Sequence, residues 1–210
     1  MIPWIMLENM FNEVDCRTVI DAINDAKLSK YQSKAMNLLE GDDRTNTLYS
    51  SERSPLNYCY LDTPKVKEFN LRMQGVLNLI TGWNWRGNIQ RQCLPIFEYE
   101  EGGYIKGHRG RDFGFGKNDW VAIGSITSQN EDYLGGSFYV NEHAEASEDG
   151  KTIYNEDESK RSFFEFKRGS LFIFNNNKLI HGTLPVEKIL KENRITCSWR
   201  IENPKQANQK

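Results

Sequence analysis

"GSLFIFNNNKLIHGTLPVEKILKENRITCSWR", residues 169–200, is the stretch on which the reading of this chain turns. A short apolar run, "GSLFIFN", has the length and Phe/Ile content of a buried strand and breaks into a polar turn. His181 follows the turn. Thirteen residues later Arg194 opens a second strand pattern, with Thr196 and Ser198 at alternate positions. Successive side chains alternate across a strand, so Arg194, Thr196 and Ser198 share one face. In a barrel or sandwich one such face points inward, and an unpaired inward charge is costly. A planar guanidinium fits a carboxylate through two parallel hydrogen bonds. The segment therefore predicts an inward Arg194 that awaits a carboxylate ligand, near a histidine.

The rest of the chain is consistent with that strand-rich frame. From residue 83 the pattern runs at period two, with candidate strands "NIQRQCLPIFEY", "WVAIGSIT", "GSFYVN", "FFEFK", "GSLFIFN" and "RITCSWRIE". Pro95 inside the first predicts an edge strand or a bulge. The polar, acidic "NEHAEASEDGKTIYNEDESKRS" predicts an exposed excursion, a hairpin, between two strands. Before residue 83 the signals are mostly helical. "NEVDCRTVIDAIND" has Asn12 placed to cap a helix that carries Val19, Ile20 and Ile23 on one face. "TPKVKEFNLRMQGVLNLITG" has Thr63 as cap, Pro64 at the first helical position and Gly82 as terminator. Its apolar stripe is Val66, Phe69, Met73, Val76, Leu77 and Ile80. "MIPWIML" and the pieces "NTLYS" and "NYCYLD" are strand-like. The expected fold is mainly β with flanking α: a β-sandwich or barrel with helices packed outside one sheet. One domain over residues 1–210 is expected, with 1–82 as helical N-terminal support and 83–203 as the β core.

Length and composition set limits on function. With 210 residues, 38% hydrophobic, the chain can bury a core without disulfide or metal staples. Its formal net charge is −2 with both signs interspersed, which gives no support for a nucleic-acid or anionic-membrane surface. Cys16, Cys59, Cys93 and Cys197 are far apart and form no CxxC pair, so free buried thiols are expected rather than a zinc cluster. The N-terminal apolar run is short and lacks a basic flank, which predicts a cytoplasmic protein.

The second chemistry-bearing stretch is "GGYIKGHRGRD", residues 102–112, which holds His108 among glycines and charged residues. The third histidine, His143, lies in a polar stretch and is read as a surface residue. Trp83 and Trp85 are candidates for a substrate entrance or for the core. Arg86, Arg91 and Gln92 lie on or near a candidate strand, where at least one is expected to face a substrate.

Taken together, "YEEGGYIKGH", "YLGGSFYV" and "GSLFIFNNNKLIHG…NRITCSW" resemble the iron(II)/2-oxoglutarate-dependent oxygenases, in their prolyl hydroxylase-like branch. The resemblance spans roughly residues 90–200. It implies a double-stranded β-helix, or jelly roll, with flanking helices. It also implies Fe(II) as cofactor, 2-oxoglutarate as cosubstrate, O2 as oxidant, and an unidentified small-molecule or polypeptide substrate whose unactivated C–H bond is hydroxylated. By match, His108 and His181 are the first and last metal ligands. Arg194 anchors the far carboxylate of 2-oxoglutarate, Thr196 assists it, and Tyr99 and Tyr104 fall where pocket aromatics lie.

One position departs from the pattern. The family's first histidine is usually followed two residues later by an aspartate, and here that position is Gly110. Either a longer loop brings Asp112 to the iron and completes a facial triad, or the carboxylate is absent and chloride occupies its place, as in the halogenases of the family. The expected site is His108, Asp112 and His181; the halogenase is the alternative. A β-sandwich binding module that has lost its metal is the non-enzymatic alternative.

Overall fold

Two helices begin where their first side chains can cap them. The computed structural model describes residues 4–28, 56–61, 63–82, 85–86, 94–108, 120–143, 145–146, 153–154, 157–176 and 178–201. Helix α1 spans Glu13–Leu28. Asn12 Oδ1 accepts the Asp15 N–H and Asp15 Oδ2 accepts the Asn12 N–H, both at 3.1 Å, a reciprocal cap. Helix α2 spans Pro64–Thr81, with Thr63 Oγ1 accepting the Val66 N–H and Gly82 closing it in the left-handed conformation at φ 70°. Val19, Ile20, Ile23, Val66, Phe69, Met73 and Leu77 are buried as their spacing predicts. Ile80 is not: it shares that face but lies in the last turn of α2 and is 51% exposed.

The strands are β1 (Trp4–Leu7), β2 (Leu56–Leu61), β3 (Trp85–Arg86), β4 (Leu94–Tyr99), β5 (Ile105–His108), β6 (Trp120–Ser125), β7 (Tyr133–Gly135), β8 (Phe138–Asn141), β9 (Glu145–Ala146), β10 (Ile153–Tyr154), β11 (Arg161–Phe164), β12 (Leu171–Asn175), β13 (Ile180–Thr183), β14 (Val186–Ile189) and β15 (Arg194–Ile201). A seven-stranded sheet runs β1-β12-β6-β15-β4-β2, with β3 also on β15; a four-stranded sheet runs β11-β8-β13-β5. Every pairing between these strands is antiparallel, and the arrangement is a jelly-roll core with helices on one side. The apolar N-terminal stretch and "NYCYLD" supply the two outer strands of the large sheet, β1 and β2. β9 pairs with β10, so the acidic excursion between β8 and β11 contains a hairpin. "NTLYS" lies outside the described residues.

The sequence predicts an edge or a bulge at Pro95. Instead β4 is interior, between β15 and β2. Proline has no N–H to donate, and the ladder from β15 to β4 runs from Tyr99 to Ile96, one residue short of it. Beyond that point β15 pairs with β3.

Strand alternation divides the core. Ile195, Cys197 and Trp199 of β15, with Leu171 and Ile173 of β12, pack outward against Phe69, Met73 and Leu77 of α2 and Val19, Ile20 and Ile23 of α1. Phe172 and Phe174 of β12 and Val121 of β6 point the other way and pack with Phe138 and Val140 of β8 between the sheets. Trp85 is fully buried in the helix-side cluster, so it belongs to the core. Cys16 and Cys197 are free and buried there; burial pushes the Cys16 thiol up to about 12. Among the described residues no helix is long and apolar enough to cross a membrane.

Candidate active site

β5 and β13 bring the two motif histidines together. His181 sits directly opposite His108 in the antiparallel ladder, a placement that sets side chains about 5 Å apart at Cβ. The imidazole centroids are 4.2 Å apart and both residues are buried. Between this pair and the next, Thr183 opposite Ile105, β5 takes three steps where β13 takes two. Such a bulge re-aims side chains beside a site. Gly182 allows the close approach: a Cβ there would lie 2.6 Å from Tyr139 Oη and 2.8 Å from the Ile105 carbonyl oxygen.

His181 is held in one tautomer. Its Nδ1 donates to the Leu179 carbonyl at 3.2 Å, which leaves the lone pair on Nε2. Phe174 meets the ring edge-on at 4.6 Å and Phe138 lies at 5.9 Å. Burial holds the imidazole well below the ordinary histidine range, and the neighbouring His108 and the charge of Arg200 act in the same direction. A neutral, buried, oriented imidazole is the form that binds a metal. His143 is exposed, and its backbone N–H donates to Asn141 Oδ1.

Across the interior, Arg194 is 1% exposed. Its guanidinium lies over the Tyr99 ring at 4.3 Å and the Phe166 ring at 5.8 Å. Tyr99 is its direct partner on β4. Nε and Nη1 of Arg194 are buried without a hydrogen-bond partner, and so is the hydroxyl of Tyr133. Burial raises the Tyr133 hydroxyl above its ordinary range, and Arg194 beside it opposes that shift. Three unmet polar atoms in a dry interior are a cost unless a ligand meets them. An oxyanion answers all three, since each is a donor. Gly136, at φ 65°, makes room: a Cβ there would come within 3.0 Å of Arg194 Cδ. Thr196 is buried two residues along the same face, opposite Phe97 and Ser125.

The histidine pair and the anion pocket belong to one interior. Arg194 lies over Phe166, Phe166 stacks on Phe138 at 5.5 Å, and Phe138 reaches His181. Tyr133 was not anticipated from the sequence, where it reads as an ordinary apolar position. It is held by Asp132, whose carboxylate accepts the Ser128 N–H and Arg168 Nη2, and whose carbonyl accepts the N–H groups of Leu190 and Lys191. Tyr104 is half-buried beside the glycine turn that leads into β5. Asp112, Gly110, Trp83, Arg91 and Gln92 lie outside the described residues. Among the described residues no group of three or more His, Cys, Asp or Glu side chains is placed to hold a metal.

No family model matches the chain, and no curated protein matches it. Solved structures do. A Pseudomonas putida prolyl-4-hydroxylase superposes with a TM-score of 0.60 at 13% identity, covering 96% of this chain and 92% of the other. The viral collagen prolyl hydroxylase of Paramecium Bursaria Chlorella virus-1, in its 2-oxoglutarate complex, gives 0.54 at 14% identity and 95% coverage of both chains. The non-heme alpha-ketoglutarate-dependent epimerase SnoN from nogalamycin biosynthesis gives 0.64 at 9% identity, covering 94% of this chain and 78% of the other. At these identities the likeness is one of architecture: the chain has the prolyl hydroxylase-like fold of the 2-oxoglutarate oxygenases.

Proposed function

We propose that this chain is an iron(II)/2-oxoglutarate-dependent dioxygenase that hydroxylates an unactivated C–H bond of a small molecule or polypeptide side chain. The observation that carries the reading is Arg194: a fully buried guanidinium with two unmet nitrogens, in the same interior as an oriented histidine pair. These residues fit the groups that the fold implies. His108 and His181 are the metal ligands, and Asp112 is the third. Arg194 and the Tyr133 hydroxyl hold the distal carboxylate of 2-oxoglutarate, while Tyr99 stacks beneath the guanidinium and Thr196 lies alongside on β15. Iron with 2-oxoglutarate and O2 supplies the oxidation of the C–H bond, with 2-oxoglutarate decarboxylated to succinate.

The chain's own residues do the positioning. The Leu179 carbonyl keeps the His181 proton on Nδ1. Phe138, Phe166 and Phe174 exclude water from the space between the two sites. Arg194 fixes the cosubstrate by charge and by two-point geometry. Fold alone does not choose the outcome, since one neighbour is an epimerase. Gly110, two residues after His108, supports a second reading, a halogenase with chloride in the place of a carboxylate.

Iron-dependent conversion of 2-oxoglutarate to succinate tests the first reading; its absence in the iron-loaded chain contradicts it. Loss of metal in Asp112→Ala, with no effect of chloride, separates the hydroxylase from the halogenase. Retention of metal with chloride-dependent chemistry reverses that choice.

A further inference from the structure

We infer that Arg168 is a positioning residue for 2-oxoglutarate: acting through Asp132, it fixes Tyr133 and cancels a carboxylate charge beside the anion pocket. This rests on the proposed oxygenase reading and extends it to a residue outside the pocket. Two loops far apart in sequence each give the pocket one aromatic residue. The turn at 128–132 leads into Tyr133, and the segment 165–170 between β11 and β12 carries Phe166, which faces the Arg194 guanidinium at 5.8 Å. Arg168 joins the two loops. Its backbone N–H donates to Ser128 Oγ at 2.9 Å, and its Nη2 donates to Asp132 Oδ2 at 2.7 Å. The same Oδ2 accepts the Ser128 N–H at 2.7 Å, so one carboxylate oxygen both closes the turn and receives the guanidinium. The Asp132 N–H closes the turn again on the Ser128 carbonyl at 2.9 Å, and the Gln129 N–H donates to the Phe166 carbonyl at 2.8 Å. On its outer side Arg168 Nη1 donates to both carboxylate oxygens of Glu13, in the first turn of α1.

The two carboxylates differ in their surroundings. The Asp132 side chain is 2% exposed, whereas that of Glu13 is 58% exposed and so is screened by water. A buried carboxylate needs a compensating charge, and Arg168 supplies it. Asp132 immediately precedes Tyr133, whose hydroxyl serves the same anion as Arg194. Burial is the main cause that raises the Tyr133 hydroxyl, and the Asp132 charge adds to it, which puts the carboxylate within electrostatic reach of the pocket. Left uncompensated, that charge repels the distal carboxylate of 2-oxoglutarate. The two members of the pair therefore act on the cosubstrate with opposite signs. An ion pair that served only to pin α1 to the β core would have no such signature, and it would depend on Glu13 as much as on Asp132.

The test measures 2-oxoglutarate binding by calorimetry on the whole chain loaded with Mn(II). Arg168→Gln leaves the Asp132 charge bare and should weaken 2-oxoglutarate about tenfold. Asp132→Asn removes that charge, keeps an oxygen for the Ser128 N–H, and should tighten 2-oxoglutarate about threefold. The double variant should return to within about twofold of wild type, because the two charges cancel within one contact. Glu13→Gln breaks only the outer arm and should also stay within about twofold. Mn(II) affinity without 2-oxoglutarate should change by less than about twofold in all four. A purely structural pair predicts weaker binding in both single variants. Equal or weaker binding in Asp132→Asn overturns the inference, and this variant decides the matter even where Arg168→Gln does not fold. Wild-type affinity in Arg168→Gln, or a loss in Glu13→Gln as large as in Arg168→Gln, overturns it as well. Failure of the wild-type chain to take up Mn(II) and 2-oxoglutarate overturns the oxygenase reading beneath it instead.

Discussion

Two sets of side chains alternate along β15 and meet different surroundings. Ile195, Cys197 and Trp199 face the helices, and Trp199 Nε1 donates to Asn70 Oδ1 at 2.9 Å. Arg194, Thr196 and Ser198 face the interior and are just as buried, yet Nε and Nη1 of Arg194 meet no acceptor. Burial is the same on both faces; satisfaction is not. The outer face holds the fold together, while the inner face keeps donors that only a ligand can answer. Substitutions on the two faces should therefore fail in different ways.

The largest effect is expected at the metal ligands. His108→Ala or His181→Ala should abolish metal binding and succinate formation, while His143→Ala should leave both unchanged. Metal titration with product detection checks this, and near-normal turnover in His181→Ala would remove the metal-site assignment.

Next come paired substitutions on β15. Trp199→Ala should cost about 3–5 kcal/mol of stability in urea unfolding, because it empties a fully buried site against α2. Arg194→Ala should raise the 2-oxoglutarate requirement roughly 30-fold or more, as when one partner of a desolvated ion pair is removed at about 2–5 kcal/mol. It should cost little stability, since it removes a buried charge whose donors are unmet. Equal destabilisation by the two changes would make Arg194 a structural residue and break the contrast.

Smaller effects sharpen it. Tyr133→Phe should weaken 2-oxoglutarate binding about tenfold, the loss of a hydrogen bond to a charged group. Its melting temperature should hold or rise, because the hydroxyl has no partner in the free chain. Ile80→Ser, in the exposed last turn of α2, should change stability by less than about 0.5 kcal/mol.

What the sequence disclosed follows the range of the interactions involved. The caps at Asn12, Thr63 and Gly82 are local, within one helical turn, and so are readable from neighbours. The shared inner face of Arg194 and Thr196 needs only strand alternation. The placement of His108 opposite His181 depends on a register between strands 73 residues apart in sequence, which only the motif resemblance suggested. Tyr133 escaped notice because nothing local distinguishes a core tyrosine from one whose hydroxyl is left for a ligand; that follows from Arg194 arriving from a distant strand. Pro95 misled because a strand can be interior yet lose one neighbour at its end. Asp112 rests on the family resemblance, since it lies outside the described residues.

The central claim is that the histidine pair and Arg194 form one ligand site, and its most direct test is the linkage between metal and 2-oxoglutarate. Calorimetric titration of 2-oxoglutarate should give at least about tenfold tighter binding with Mn(II) than without it in the wild-type chain, because a chelated ligand gains a second attachment. The metal-dependent gain should vanish in His181→Ala, and all 2-oxoglutarate binding should weaken in Arg194→Ala. Binding of equal strength with and without metal would contradict the account.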